Sequence, residues 1–218
     1  LERNIGTVVQ LGQLPLPVKP KIERIGDAAL VRIREQARLQ VAGRDQQQLI
    51  HELLEPVESE RGLAALPEPS PGDLFLDLEA DSYAFDQGIE YLFGVVSASQ
   101  AGEEPSYSSH WCLSPAAEKE AFEQFIASVM ERWRQHPGMH IYHYAPYEPT
   151  AIKRLAGRHG ACVDEVDQLL RAGIFVDLYR VVRQGLRASV ESYSIKKMEP
   201  LYGFTRAVEL REATLALQ

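Results

Sequence analysis

The order of strand-like and helix-like patterns after residue 72 restricts the fold more than any other feature of the sequence. Residues 73–79 alternate between polar and apolar side chains, which predicts a β-strand. Two further strands are predicted at residues 91–96 and 108–113. Because the gaps between these three strands are short, they favour an antiparallel meander.

Helical patterns alternate with strands from this point onward. Ser114 and Pro115 provide an N-cap and a first-turn proline, and the apolar stripe of the helix that they open reaches Trp133. The remaining predicted elements are a strand at 139–144, helices ending near Gly160 and Ala172, a strand at 174–178, and helices at 193–201 and 207–217. This order predicts the α/β class, with a mixed sheet of three antiparallel strands followed by αβ units and with helices on its faces.

A proline-rich segment at residues 66–72 is the best candidate for a domain boundary and predicts a stiff linker. Residues 1–65 are predicted to be a helical extension or the tail of a preceding domain. Within them, residues 21–41 have apolar side chains at helical spacing, which predicts an amphipathic helix with a break near Gly26. Residues 73–218 are predicted to form the α/β domain.

The charge balance limits the classes of partner. The chain has 23 Lys and Arg against 31 Asp and Glu, a net charge of −8, which excludes a basic, non-specific nucleic-acid coat. It does not exclude a nucleic-acid enzyme whose carboxylates hold metal ions. No apolar run approaches the roughly 18 residues of a membrane helix. Cys112 and Cys162 are predicted to be reduced, buried thiols of a cytoplasmic protein, with a disulfide or zinc site as the alternative.

Two carboxylates stand in the first predicted strand. Asp77 and Glu79 are two residues apart, so they share one face with Phe75, at a spacing of roughly 6.6 Å. The opposite face carries Leu74, Leu76 and Leu78. A divalent metal is one natural partner for such clustered carboxylates; exposure at a solvated strand end is the alternative. Asp81 would either join this cluster or cap the following turn.

Other candidates follow the fourth and fifth strands. Glu148 either complements the dipole at a helix start or, because the fourth strand of a mixed sheet lies beside the first, faces the same sheet end as Asp77. Asp177 would either ligate a metal or cap the next helix. His140 and His143 are three residues apart on a strand and face opposite sides, so they do not predict a metal pair. Basic residues concentrated at 150–200 favour either phosphate contact or solubility.

Several stretches resemble motifs of the RNase H-like 3′-5′ exonucleases, the group named for its four acids, Asp-Glu-Asp-Asp. Residues 75–79 resemble the first motif, and residues 143–148, His-Tyr-Ala-Pro-Tyr-Glu, resemble the second. Residues 176–178 and 192–199 are similar to the stretch that leads to the third motif. The chain resembles in particular the exonuclease-like domain that follows a RecB-like nuclease region in a family of predicted bacterial nucleases. The resemblance implies that residues 1–62 are the tail of that preceding region.

This resemblance implies hydrolysis of phosphodiester bonds by two Mg²⁺ or Mn²⁺ ions. Asp77 would bridge both ions, and Glu79 would hold one of them and help to orient the attacking water. Glu148 would ligate the other ion directly or through water, and Asp177 is a further candidate metal ligand. The residues that would contact the nucleic-acid strand are Tyr147, Lys196 and Lys197.

The chain departs from the resembled family in two ways. Glu148 stands where most of the wider superfamily has Asp, and the last acid, expected in a Tyr-containing helix beyond Lys197, has no matching Tyr-x-x-x-Asp. Glu209 and Glu212 do not fit that pattern. We therefore expect the domain to be truncated at its C-terminus, with the final carboxylate beyond residue 218. We also expect weak metal binding and low or absent activity from these residues alone.

The leading functional prediction is a cytoplasmic, metal-dependent nuclease of the 3′-5′ exonuclease type. Its expected substrate is nucleic acid, DNA in particular, with single strands or free 3′ ends preferred, and its expected setting is a longer chain with a RecB-like nuclease region. The alternative is a non-catalytic nucleic-acid-binding or scaffolding module of a larger DNA-processing protein. The alternatives differ in one respect: only the first requires Asp77, Glu79 and Glu148 to converge.

Overall fold

The computed structural model describes residues 5–19, 22, 24–97 and 104–205. The chain divides into two compact units. The terminal unit consists of Leu1–Ala64 together with Val182–Gln218, and the sheet unit consists of Ala65–Val181. Each unit is described separately below.

Helices and strands are numbered in chain order. The helices are α1 (Val8–Gly12), α2 (Asp27–Gln46), α3 (Pro115–Gln135), α4 (Tyr147–His159), α5 (Val163–Arg171), α6 (Leu178–Gly185) and α7 (Ile195–Met198). The strands are β1 (His51–Leu53), β2 (Leu74–Asp81), β3 (Ile89–Ser97), β4 (Ser106–Trp111), β5 (Ile141–His143), β6 (Phe175–Asp177) and β7 (Leu186–Ala188). Short 3₁₀ turns cover Gly62–Ala65 and Glu199–Tyr202.

One five-stranded sheet organises the sheet unit. Its strand order is β4-β3-β2-β5-β6. β3 pairs antiparallel with β2 and β4, whereas β5 pairs parallel with β2 and β6. This arrangement confirms the predicted α/β class and mixed sheet. It also confirms that the first strand of the meander, β2, lies beside the fourth, β5.

The two faces of β2 differ as the alternation predicted. Leu74, Leu76 and Leu78 are buried in the hydrophobic core, and Phe75, Asp77 and Glu79 are exposed on the other face. The core is completed by apolar side chains of α3, α4 and α5.

The start of α3 agrees closely with the sequence prediction. The hydroxyl of Ser114 accepts a hydrogen bond from the backbone N–H of Ala117 at 3.2 Å, and Pro115 occupies the first turn. The N-cap and proline remove the cost of unpaired N–H groups at the helix start. The buried stripe of this helix consists of Ala121, Phe122, Phe125, Ile126 and Val129.

The terminal unit combines the first part of the chain with residues from Val182 onward. The predicted amphipathic helix is present as α2, but it begins at Asp27 rather than at residue 21, because Gly26 is extended and acts as its N-cap. β1 and β7 pair antiparallel. The side-chain amide of Gln36 on α2 donates to the carbonyl of Ala188 at 2.8 Å.

Some elements of the terminal unit differ from the sequence prediction. The pattern did not predict α1, β1 or β7. The helix predicted at 193–201 is instead α7 followed by a 3₁₀ turn, and the helix predicted at 207–217 lies outside the described residues. Residues 182–205 belong to this unit by their contacts, although the sequence placed them in the domain at 73–218. The domain boundaries themselves stay a prediction.

Both cysteines are free, as predicted. Cys112 is buried, and its burial together with the charge of Glu118 raises its pKa to about 11, so its thiol is protonated at neutral pH. Cys162 is only half-buried, which corrects the expectation of two buried thiols. Within the described part of the chain, no helix has the length and apolar composition needed to span a membrane.

Candidate active site

Asp77 and Glu79 lie on the exposed face of β2, near the middle of the sheet. Asp77 is paired in register with Gly94 of β3, and Glu79 with Leu92. The register shifts between Glu79 and Ala80, where Tyr91 of β3 has no register partner on β2. Irregular pairing of this kind re-aims side chains at the ends of paired segments.

The carboxyl group of Asp77 has a raised pKa. The surrounding protein atoms, which partly shield it from water, are the main cause, and the negative charges of Glu79 and Glu148 add to the effect. Asp77 is nevertheless exposed. Asp77 is therefore a solvent-accessible carboxyl group whose pKa is raised in part by the negative charges of two other carboxylates.

Glu148 occupies the first turn of α4 and is only 3% exposed. Its Oε2 has no hydrogen-bond partner among the residues that the structure describes. The Nδ1 atom of His143 lies 3.4 Å from this oxygen, but it is 2.6 Å from the carbonyl oxygen of Ala145, to which it is hydrogen-bonded. A buried carboxylate oxygen without a partner is costly. Such a group is a candidate for binding a ligand or a metal.

The electrostatic surroundings of His143 are also dominated by acids. Burial lowers its pKa, but Glu148, the carbonyl of Ala145 and the charge of Asp177 together outweigh this effect, so the net pKa is raised. The imidazole is therefore the nearest group that can carry a compensating positive charge close to Glu148.

Ala145 connects β5 to α4 in a left-handed conformation, with a φ of 76°. Its N–H donates to Oδ1 of Asp177 at 3.0 Å, and its carbonyl oxygen accepts the bond from His143. Asp177 also accepts a hydrogen bond from the N–H of Arg180 at 3.2 Å, near the start of α6. The capping role that the sequence left open for Asp177 is therefore present, and this residue also holds the turn that leads to Glu148.

Tyr147 precedes Glu148 and is 38% exposed. Its hydroxyl donates to Oε1 of Glu90 at 3.2 Å. Arg154 binds the same carboxylate, and its guanidinium carbon lies 5.8 Å from the centre of the Tyr147 ring. Sequence reasoning did not single out Glu90 or Arg154. A single acid inside the apolar run of β3 was the signal that could have found Glu90.

The other residues singled out from the sequence lie elsewhere. Asp81 accepts a hydrogen bond from the N–H of Tyr83 at 2.8 Å, so it caps the turn after β2. His140 lies 3.4 Å from Asp73, which separates it from the Glu148 side of the strand. Lys196 and Lys197 are exposed on α7 in the terminal unit, and their role in nucleic-acid binding stays a prediction.

Comparison with known families gives one match. A family model of the RNase H superfamily covers residues 74–215, from the first residue of β2 onward and well over half of the chain. The chain belongs to the RNase H superfamily. A comparison with curated proteins gave no match, and neither did a comparison with solved structures.

Membership of the RNase H superfamily points to nuclease-type function and to nucleic acid as the partner. It agrees with the mixed five-stranded sheet of the sheet unit. The narrower resemblance, to exonucleases associated with a RecB-like region, stays a prediction.

The donor atoms of this RNase H-like site suit a hard divalent cation, because Asp77, Glu79 and Glu148 offer carboxylate oxygens alone. The Oε2 atom of Glu148 has no hydrogen-bond partner in the described part of the chain, so a cation could bind there. Partial burial, and after it the charges of Glu79 and Glu148, raise the pKa of Asp77, and a cation would offset both effects. Among the described residues, however, no group of three or more His, Cys, Asp or Glu side chains is arranged to hold a metal ion. The type of donor atom therefore suits a metal, but the described side chains do not form a preorganised metal site.

Proposed function

We propose that the sheet unit carries the active centre of a metal-dependent nuclease of the 3′-5′ exonuclease type, acting on single-stranded DNA or free 3′ ends. Asp77, Glu79 and Glu148 are its proposed metal ligands. The observation that carries this proposal is Glu148, which is buried, has an oxygen without a hydrogen-bond partner in the described structure, and follows β5, the strand that pairs with β2.

Mg²⁺ or Mn²⁺, when bound, would supply the positive charge that stabilises the phosphoryl group during hydrolysis and activates a water molecule. In this proposal, the protein's own part is to supply carboxylates to the metal from two elements, β2 and α4. β2 presents Asp77 and Glu79 on its exposed face. Glu148 is placed by the turn at Ala145, which His143 and Asp177 bind from two sides.

Tyr147 and Arg154 are suited to a second task. Both are partly exposed and belong to the same helix as Glu148, with Glu90 fixing the pair through hydrogen bonds. An aromatic ring under a guanidinium group offers stacking and positive charge to a nucleic-acid strand. In this proposal, the pair guides the strand toward Glu148.

A specific observation favours the alternative, a non-catalytic nucleic-acid-binding module. The described carboxylates are not grouped as a metal cage. In that case, Asp77→Asn would leave nucleic-acid binding intact and no metal-dependent cleavage would be found with or without the substitution.

Cleavage of 5′-labelled single-stranded DNA with Mn²⁺ tests the proposal, and the assay is repeated with any longer natural form of the protein. The unaltered protein should shorten the DNA stepwise, and a blocked 3′ end should slow this. Asp77→Asn should reduce the rate by at least about 100-fold, since even outer-shell changes at metal sites cost roughly 10- to 100-fold. Asp164→Asn, at an exposed position on α5, is the matched control and should retain the rate.

Equal cleavage by the Asp77→Asn variant and the unaltered protein would contradict the proposed centre. Absence of cleavage in every form, with nucleic-acid binding retained, would support the binding module instead. Comparing DNA with RNA of the same sequence decides the substrate class.

A further inference from the structure

The face of the sheet that carries Asp77 and Glu79 also carries exposed aromatic rings. Val96 is paired in register with Phe75 on one side and with Tyr107 on the other. Leu92 is paired in the same way with Glu79 and with Trp111. Side chains directly opposite one another on neighbouring strands share a face. The side chains of Phe75, Tyr107 and Trp111 are 44%, 63% and 51% exposed, which is unusual for rings of this size.

A stacked pair of rings connects the exposed aromatic residues to the strand positions beside the carboxylates. The ring of Tyr91 stacks on Trp111, with centroids 6.1 Å apart and planes inclined by 24°. Tyr91 precedes Leu92, which is paired in register with Glu79, and partial burial together with the charges of Glu79, Asp81 and Asp77 raises the pKa of Tyr91. The aromatic pair therefore leads from the edge strand β4 to the proposed centre.

Tyr107 approaches the centre along a second row. Gly94 stands between Asp77 and Ser109 in the register of the three strands. A Cβ atom at Gly94 would lie 3.4 Å from the hydroxyl oxygen of Tyr107 and 3.5 Å from the carbonyl oxygen of Asp77. The absence of a side chain at Gly94 thus leaves the space beside Asp77 to the Tyr107 ring.

We propose that a single-stranded nucleic acid lies across this face, with bases stacked on Trp111 and Tyr107, and that the face delivers the strand to Asp77 and Glu79. This inference rests on the proposed function, and it adds the surface that would bind the substrate. Exposed aromatic rings are the platforms on which unpaired bases stack. A duplex does not fit this mode, because its base faces are already covered by neighbouring base pairs.

The charges on the face set the conditions for binding. Asp77, Glu79 and Asp81 are exposed carboxylates that repel phosphate groups when no cation is present. Stacking on the rings must then supply the affinity, and removing one acid must increase it. A protein partner would instead have to desolvate these acids, which is costly unless each is paired.

The chain offers a direct optical test, because it contains two tryptophans, Trp111 and Trp133. In a Trp133→Phe background, the fluorescence reports Trp111 alone. Titration with an oligothymidylate of about 12 nucleotides in EDTA should quench this fluorescence, whereas a blunt duplex should not. Binding is measured in EDTA, where no metal-dependent cleavage occurs. A loss of binding and a loss of cleavage are therefore distinguished as separate results.

Substitutions then locate the strand. In anisotropy titrations with labelled oligothymidylate, Trp111→Ala should weaken binding by about 5- to 150-fold, the range found for one stacked base. Trp111→Phe should recover most of the affinity. His110→Ala is the matched control: His110 is exposed on the same strand but is paired with the fully buried Phe93, so it faces the other side of the sheet. This variant should bind within about twofold of the unaltered protein.

Asp77→Asn provides a second, independent readout, because it should tighten binding in EDTA if the strand passes over the acids. The inference is overturned if no oligonucleotide quenches Trp111, if duplex binds as tightly as single strands, or if Trp111→Ala and His110→Ala behave alike. Thermal unfolding of each variant shows whether the fold is retained, and the Phe variant keeps the test decisive if the Ala variant is unstable.

Discussion

Glu118 and Glu148 are both buried near the start of a helix in the sheet unit, but their carboxylates are compensated to different degrees. Each lies in the first turn of a helix, and they are 1% and 3% exposed. Both oxygens of Glu118 accept hydrogen bonds: Arg158 donates to both at 2.9 and 3.0 Å, and His159 lies 2.7 Å from one of them. One oxygen of Glu148 has no hydrogen-bond partner within the described chain.

This difference separates a structural carboxylate from a functional candidate. The charge of Glu118 is compensated by Arg158 on α4. The N–H of Glu90 on β3 also donates to Glu118 at 2.6 Å, so these bonds join α3, α4 and β3. A buried carboxylate that lacks such partners costs free energy, and a fold tolerates the cost where the group has a task. A buried glutamate in the first turn of a helix therefore contributes to stability in one case and carries a cost in the other.

The largest expected effect is a difference between Glu118→Gln and Glu148→Gln in the free energy of unfolding. Glu118→Gln removes the nearer of the two carboxylates that pair with the nearly buried Arg158, leaving Glu90 at 3.6 Å, and it also removes the carboxylate beside His159. It should cost up to about 3–5 kcal/mol. Glu148→Gln removes a charge that has no full compensation and should change stability by less than about 1 kcal/mol, while it abolishes cleavage. Urea unfolding followed by circular dichroism, without divalent cations, measures both. Equal destabilisation by the two substitutions would remove the distinction.

A smaller effect concerns pH. Burial on its own raises the pKa of Glu118, but hydrogen bonds from the N–H of Glu90, from Arg158 and from His159 outweigh it, so the pKa lies below its ordinary value of 4.5. Its contribution to stability is therefore present above the unfolded-state pKa and is lost as pH falls through the lower, folded-state value. The raised pKa of Asp77 acts in the opposite sense, since its charged form is disfavoured in the folded protein.

The measurement that follows is the stability gap between the unaltered protein and Glu118→Gln at a series of pH values. The gap should be widest near neutral pH and should narrow as pH falls below 4.5. For Asp77→Asn, the substituted protein should be slightly more stable near neutral pH, by no more than about 1 kcal/mol because Asp77 is exposed. That advantage should vanish in acid. A gap for Glu118→Gln that is independent of pH would show that its charge is not what stabilises the fold.

The comparison also shows what the sequence can and cannot predict. The faces of β2 follow from strict alternation, and the position of β5 beside β2 follows from the order of strands in a mixed sheet. The pairing of Glu118 does not follow from either, because its partner Arg158 is 40 residues away on another helix. No local pattern distinguishes a first-turn glutamate that finds an arginine from one that does not.

Short elements show the same limit in the terminal unit. β1 and β7 are three residues each, and they pair across more than 130 positions of the chain. Three residues are too few for alternation to stand out from chance, so tertiary contacts alone define these strands. For Asp177, the sequence permitted both a metal ligand and a helix cap, and the structure shows the cap together with the bond to Ala145.

The smallest expected effect concerns the turn at Ala145, which holds Glu148 in place. Ala145 has a φ of 76°, which costs roughly 1 kcal/mol or more in a residue with a side chain. Ala145→Gly removes this cost but makes the unfolded chain more flexible, at about 0.4–1 kcal/mol, so stability should be unchanged or slightly higher. Cleavage should nevertheless fall several-fold, because the freed turn holds Glu148 less firmly.

Ala145→Ser is the matched control, since it keeps both the Cβ atom and the strained backbone, and it should match the unaltered protein in stability and in cleavage. A glycine variant that cleaves at the full rate would show that the bonds from His143 and Asp177 are sufficient to place Glu148. A glycine variant that loses more than about 1 kcal/mol would instead show that the left-handed turn is not strained. Among the described residues, Glu118 is held by an arginine, whereas the ion pairs of Glu148 include only His143 at 3.4 Å, so the turn at Ala145 carries more of its positioning.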